Sequence, residues 1–156
     1  MSGPGAHLVD ETLSPDRVFL TRERRKEDLL HFLVDQMGRS GDVDDMEALR
    51  SAIFMRENLM STGIGLGVGV PHARISSVRR MVMAVAVNDQ PLDDYESIDN
   101  RPVQLVFLVA GRPDQQSNYV RLLAVLSHIV KDDARRNALL SAASPDALYE
   151  SLLSGV

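Results

Sequence analysis

Apolar residues along the chain fall into two periods, and the change between them outlines the architecture. Leu29, Leu30, Leu33, Val34 and Met37 share one face of a helix predicted over residues 24–37, which Gly38 stops. A second helix is predicted over 44–56, led by acidic residues and carrying Met46, Leu49 and Ile53 on one stripe. Met81 to Val87 and Val103 to Val109 are instead continuous apolar, β-branched runs, the pattern of strands buried on both faces. Asn88 and Asp89 supply turn chemistry ahead of Pro91, and Gly111 with Pro113 ends the second run. Helical spacing returns from Gln115 to Val130 through Tyr119, Leu122, Leu123, Leu126 and Ile129. A short helix is predicted over 133–140, and a last one starts at Pro145 with Ser144 as its N-cap. Strands interleaved with helices predict an α/β sheet covered on both faces. Two strands with no helix between them make that sheet mixed rather than purely parallel.

Composition narrows the function. At 156 residues the chain suits a single domain with a substantial core, expected over residues 8–156. Residues 1–7, small and glycine-rich, read as a frayed leader outside the fold. A net charge of −5 without a Lys/Arg block argues against nucleic-acid binding. Zero cysteines remove disulfides, thiol catalysis and Cys-ligated metal, and fit a reducing compartment. No apolar run approaches the ~20 residues of a membrane span, and no signal peptide is evident. A soluble, cytoplasmic protein without membrane insertion is the expectation.

The segment from Ser61 to Arg74 stands apart. Gly63, Gly65, Gly67 and Gly69 alternate with Ile64, Leu66, Val68 and Val70. As one strand this would present an aliphatic face and a face cleared of side chains, inviting close approach by a backbone, side chain or ligand. Pro71 stiffens the backbone, so His72 sits where that strand ends. A neutral imidazole has a free lone pair and is a nucleophile able to carry a phosphoryl group. Such a charge needs donors and cations, which Ser61, Thr62, Arg56 and Arg74 offer. The spacing matches neither a dinucleotide fingerprint nor a P-loop, and no metal-ligand spacing surrounds His72. Chemistry alone leaves two readings open: a phosphoryl-accepting histidine, or a glycine-rich strand that His72 merely caps.

Arg56-Glu57-Asn58-Leu59, the following Ser-Thr-Gly-Ile-Gly and Val70-Pro71-His72-Ala73-Arg74 resemble the active-site signature of fructose/mannitol-type enzyme IIA domains. These belong to the bacterial phosphoenolpyruvate-dependent sugar phosphotransferase system. The resemblance runs from about Leu8 to Leu153 and includes Ile98 to Val103 and Ala142 to Leu148. As a lone domain the chain is most similar to the nitrogen-regulatory branch. The resemblance implies a three-layer α/β fold with a mixed central sheet. It implies phosphorylation of His72 on Nε2 by an HPr-like phosphocarrier, with Arg56 beside the phosphate and Thr62 as a nearby hydroxyl. The group would then pass to a IIB domain, or its presence would control binding to regulatory partners. Neither metal nor organic cofactor is implied. The family carries a second active-site histidine after the second strand, and alignment puts Tyr119 there. Tyrosine can bond a phosphate oxygen but carries no positive charge at neutral pH. The alternative is a non-catalytic regulatory interaction module of the same fold.

The remaining polar groups read as surface. His31 borders an apolar stripe with Asp35 four positions on, His128 lies on a polar helix face near Arg121, and His7 lies in the leader. Arg22, Arg24, Arg25 and Lys26, interleaved with acids, read as a solvated helix start. Met55 and Met60 read as core filler by default, and as an adaptable docking rim in the sharper reading.

Overall fold

The computed structural model describes residues 4–154. Six strands make one mixed sheet: β1 (Val18–Thr21), β2 (Gly63–Gly65), β3 (Val68–Gly69), β4 (His72–Arg74), β5 (Val82–Leu92) and β6 (Val103–Gly111). β5 and β6 pair antiparallel at its centre, and β1 lies parallel to β5. Along the other edge of β6, β3 and then β4 run parallel to it, and β2 pairs antiparallel with β3. The helices are α1 (Pro4–Thr12), α2 (Lys26–Gly38), α3 (Met46–Leu59), α4 (Gln116–Lys131), α5 (Asp133–Leu140) and α6 (Pro145–Leu153).

The continuous apolar runs of β5 and β6 follow from burial on both faces. Val82, Ala84, Val106 and Leu108 face a core shared with α2 and α3. Met83, Val85, Leu105 and Phe107 face a second core built with α1, α4, α5 and α6. The result is the expected three-layer α/β fold. Helix ends also follow local chemistry: Asp45 caps α3 through Ala48 N–H at 3.0 Å, and Ser144 caps α6 through Ala147 N–H at 3.1 Å. The start of α2 is closed from a distance, where the Asp94 carboxylate accepts the Lys26 N–H at 3.0 Å. No helix among the described residues is long and apolar enough to cross a membrane.

Several expectations are corrected. Residues 4–7 of the expected leader form the first turn of α1, whose Leu8 and Val9 are buried; residues 1–3 lie outside the described residues. The short strand β1 was not expected. Asn88 and Asp89 do not turn the chain: β5 continues through them to Leu92 with a register shift. Asn88 is fully buried and bonds the Thr21 hydroxyl and both backbone groups of Glu23, holding the end of β1 to β5.

The glycine segment is not one strand. It is a tight hairpin, β2 and β3, turning at Leu66 and Gly67 with φ of 62° and 76°. Leu66 tolerates the left-handed region because its N–H is held by Asp99 Oδ2 at 2.8 Å. The face cleared of side chains is filled by the chain itself. The Glu96 carbonyl lies against Gly63, and the Tyr95 ring would stand 2.6 Å from a Cβ at Gly69. Gly63→Ala would drive a methyl into backbone, and it should lower stability by ~1–3 kcal/mol. Denaturant unfolding checks this; an unchanged midpoint would mean that the 93–101 loop can yield.

Candidate active site

His72 opens β4, in register with Val109 of β6, and Pro71 before it accepts the Val109 N–H at 3.0 Å. Its backbone is therefore pinned to the middle of the sheet. The ring is pinned too, because Nδ1 lies 2.7 Å from the Val70 carbonyl. A carbonyl only accepts, so Nδ1 carries the hydrogen and Nε2 keeps the lone pair. Val70 in turn donates its N–H to the Thr62 carbonyl at 3.0 Å, so the turn after α3 and the imidazole are tied through one residue.

His72, Arg56 and Thr62 line one cleft of about 560 Å³, walled by Ile64, Leu66, Val70, Leu123 and Val130. Arg56 stands in the last turn of α3 and donates through Nη1 to the Met60 carbonyl at 2.7 Å. No carboxylate pairs with it among the described residues. Burial, with Arg56 and Arg74 nearby, lowers the His72 pKa below its ordinary 6.5, against the opposing pull of the Val70 carbonyl. Nε2 should therefore keep its lone pair at neutral pH, and phosphoryl acceptance should stay level to a lower pH than an ordinary imidazole would allow. Only below that should acceptance fall. Ring-proton NMR titration reads the same group, and a midpoint at or above 6.5 would contradict this.

Thr62 and Tyr119 occupy the site differently from what their residue types suggest. The Thr62 hydroxyl is buried and shares a 2.8 Å hydrogen bond with the Tyr95 hydroxyl. Tyr119, in the first turn of α4, packs its ring edge-on against His72, with centroids 5.5 Å apart and an interplanar angle of 67°. Its hydroxyl is buried and has no hydrogen-bond partner among the described residues. Burial also pushes the Tyr119 phenol up, so it stays neutral.

A supporting cluster was missed in the sequence. Glu57 is buried; its Oε1 accepts the Thr62 N–H at 3.3 Å and pairs with Lys26 Nζ at 3.0 Å. Lys26 also lies 4.3 Å from the centroid of the buried Tyr95 ring. Lys26 is thus no solvated residue at a helix start: it neutralises a carboxylate that fixes the Thr62 backbone. One signal was available, since Glu57 continues the Leu49–Ile53 stripe of α3 and a carboxylate there needs a partner. Met55, Leu59 and Met60, with Ile98, are 67%, 79%, 70% and 83% exposed, so the methionines are not core filler. His31 accepts from Arg50 and stacks on Phe54, while Asp35 bonds Arg50 rather than the histidine. His128 is exposed. Among the described residues no cluster of three His, Asp or Glu side chains could hold a metal ion.

The chain as a whole has relatives. The chain is 30% identical over 127 residues to the fructose-specific EIIA component of Haloferax volcanii, covering 81% of this chain and 82% of that one. It is 30% identical to the nitrogen regulatory protein homolog of Haemophilus influenzae, covering 91% of this chain and 88% of that protein. It is also 32% identical to the fructose-specific EIIABC component of Bacillus subtilis, but spans only 22% of that longer protein. The crystal structure of IIA-Ntr from Neisseria meningitidis superposes with a TM-score of 0.86 at 22% identity, over 93% of this chain and 99% of that one. The family model for the phosphoenolpyruvate-dependent sugar phosphotransferase system, EIIA 2, matches residues 11–155. That match covers nearly the whole chain, and the chain belongs to this EIIA family of phosphotransferases.

Proposed function

We propose that the chain is a phosphoryl carrier that takes its phosphoryl group on Nε2 of His72 from a phosphorylated HPr-like protein. The observation that carries this reading is the Nδ1–H bond to the Val70 carbonyl, which leaves Nε2 as the reactive nitrogen beside Arg56. The incoming P–N bond forms from the Nε2 lone pair as the donor's P–N bond breaks and returns its electron pair to the donor nitrogen. The proton on Nδ1 stays where it is. The acquired ring charge is shared with the Val70 carbonyl, and the phosphoryl charge faces Arg56. Thr62, anchored by Glu57 and Tyr95, shapes the floor of the cleft, and Tyr119 restrains the imidazole while its unspent hydroxyl awaits a phosphoryl oxygen. The exposed rim of Met55, Leu59, Met60 and Ile98 suits docking of partner proteins.

From His72 the group passes to a IIB domain or reports its presence to regulatory partners in the cytoplasm. Both outlets have support: the IIA of Escherichia coli mannitol transport, solved in complex with phosphorylated IIB, shares the fold, and relatives bear the nitrogen-regulatory name. A second reading, a non-catalytic interaction module, draws on Tyr119, which brings no positive charge to the site. One experiment separates the two. The ¹⁵N-labelled chain is incubated with a phosphorylated HPr-like carrier, and its imidazole nitrogens are followed by NMR. A single phosphoryl on Nε2 of His72, with the Nδ1 hydrogen retained, is expected. A chain that takes up none is the interaction module.

A further inference from the structure

We infer that Arg74 is a second cation of the phosphoryl site, held over the Tyr119 ring and free to engage phosphoryl oxygens on His72. This rests on the phosphoryl-carrier reading of His72. Arg74 lies two residues beyond His72 in β4, and successive strand residues alternate faces, so the two side chains leave the sheet on the same side. The burial pattern agrees, with Ala73 buried between a half-buried His72 and an exposed Arg74. The Arg74 backbone is fixed by its register with Gly111 of β6. The spacing along the strand is about 6.6 Å, within reach of an arginine side chain.

Tyr119 joins the two. Its ring centroid is 5.5 Å from the His72 ring and 5.5 Å from the Arg74 guanidinium carbon. The guanidinium makes no side-chain hydrogen bond and no ion pair among the described residues, so its five N–H donors are unspent. A cation parked on an aromatic face is guided but not consumed, because the ring offers no acceptor to saturate it. Arg56, by contrast, comes from α3 and already gives one donor to the Met60 carbonyl. The two arginines therefore approach His72 from different elements, one from the helix and one along the strand. A phosphoryl group on Nε2 adds two negative charges beside this ring, and Arg74 is the free group placed to meet them. The chemistry of transfer is unchanged: one P–N bond breaks and one forms. What Arg74 alters is how strongly the site holds the transferred group against its return to the carrier.

The test compares the parent with Arg74→Ala, Arg74→Lys and Tyr119→Phe, each equilibrated with a fixed ratio of phosphorylated to free carrier. The occupancy of phosphorylated His72 is read by intact mass at alkaline pH. Arg74→Ala should shift the transfer equilibrium about three- to tenfold towards the carrier, an exposed charged contact being partly screened. High salt should shrink that difference. Arg74→Lys, which keeps the charge and loses the planar fork, should recover part of it. Tyr119→Phe keeps the ring under Arg74, so the salt-sensitive part should survive. The His72 ring in unphosphorylated Arg74→Ala should also bind its proton more tightly, which a purely structural role would not produce. Equal occupancy in Arg74→Ala and the parent, at both salt levels, overturns the role of Arg74 and leaves the carrier reading standing. A parent chain that accepts no phosphoryl group overturns both.

Discussion

Replacing His72 by alanine should abolish phosphoryl acceptance while leaving the fold almost as stable as the parent's. A phosphoramidate is labile in acid and persists in base, because protonation makes imidazole a better leaving group. Intact mass measured at alkaline pH should therefore show one added phosphoryl on the parent and none on His72→Ala. The other histidines are poor substitutes. His7 pairs with Glu11 on the exposed face of α1, His31 is engaged by Arg50 and Phe54, and His128 stands exposed on α4. None lines the Arg56 cleft. The structural loss is small: one hydrogen bond to the Val70 carbonyl, worth ~0.5–1.5 kcal/mol net, from a half-buried side chain. A melting temperature near the parent's would show that the loss of acceptance is chemical. An undiminished mass gain in His72→Ala would assign the nucleophile to another residue.

How far the site was legible depends on which contacts are local. β5 and β6 could be read because both faces are buried, so their sequences are apolar without interruption. The caps at Asp45 and Ser144 are local hydrogen bonds and leave local signatures. β1, four residues long, carries too few apolar positions to declare a period, and the Gly-Pro-Gly leader masked the start of α1. The glycine segment misled for a physical reason. Alternation alone reads as a strand, whereas the turn at Leu66 is imposed by Asp99, thirty-three residues away. Lys26, Glu57 and Tyr95 likewise meet only in the folded chain, so no window of sequence contains their partnership. His72, Arg56 and Thr62 were accessible because they fall within one continuous motif, and the fold brings them to one cleft. The cation–π contact joining Arg74 to Tyr119 was not accessible, since it spans β4 and α4.

Arg56→Ala should slow phosphoryl transfer to His72 by about ten- to a hundredfold and cost little stability. A charged hydrogen bond contributes roughly 1.5–3 kcal/mol, and each ~1.4 kcal/mol in a barrier is tenfold in rate. Arg56 lines the cleft with His72, is unopposed by any carboxylate among the described residues, and already acts on the imidazole by lowering its proton affinity. During transfer the three phosphoryl oxygens carry the developing charge, and a fixed guanidinium stabilises them without reorganising. Its placement is set by the carbonyl of Met60, the residue whose N–H closes the last turn of α3 on the Arg56 carbonyl. Alanine removes that bond too, but Met60 is 70% exposed, so water replaces the donor and the stability cost stays near or below ~1 kcal/mol. Arg56→Lys restores the charge without the planar fork and should fall between parent and alanine. Rapid-quench transfer from the phosphorylated carrier and thermal unfolding, run on the same preparations, separate the two effects. Near-parental kinetics with a collapsed melting temperature would make Arg56 a helix-end cap and nothing more. Slow transfer in an intact fold would identify it as the group that holds the phosphoryl charge while the bond to His72 forms.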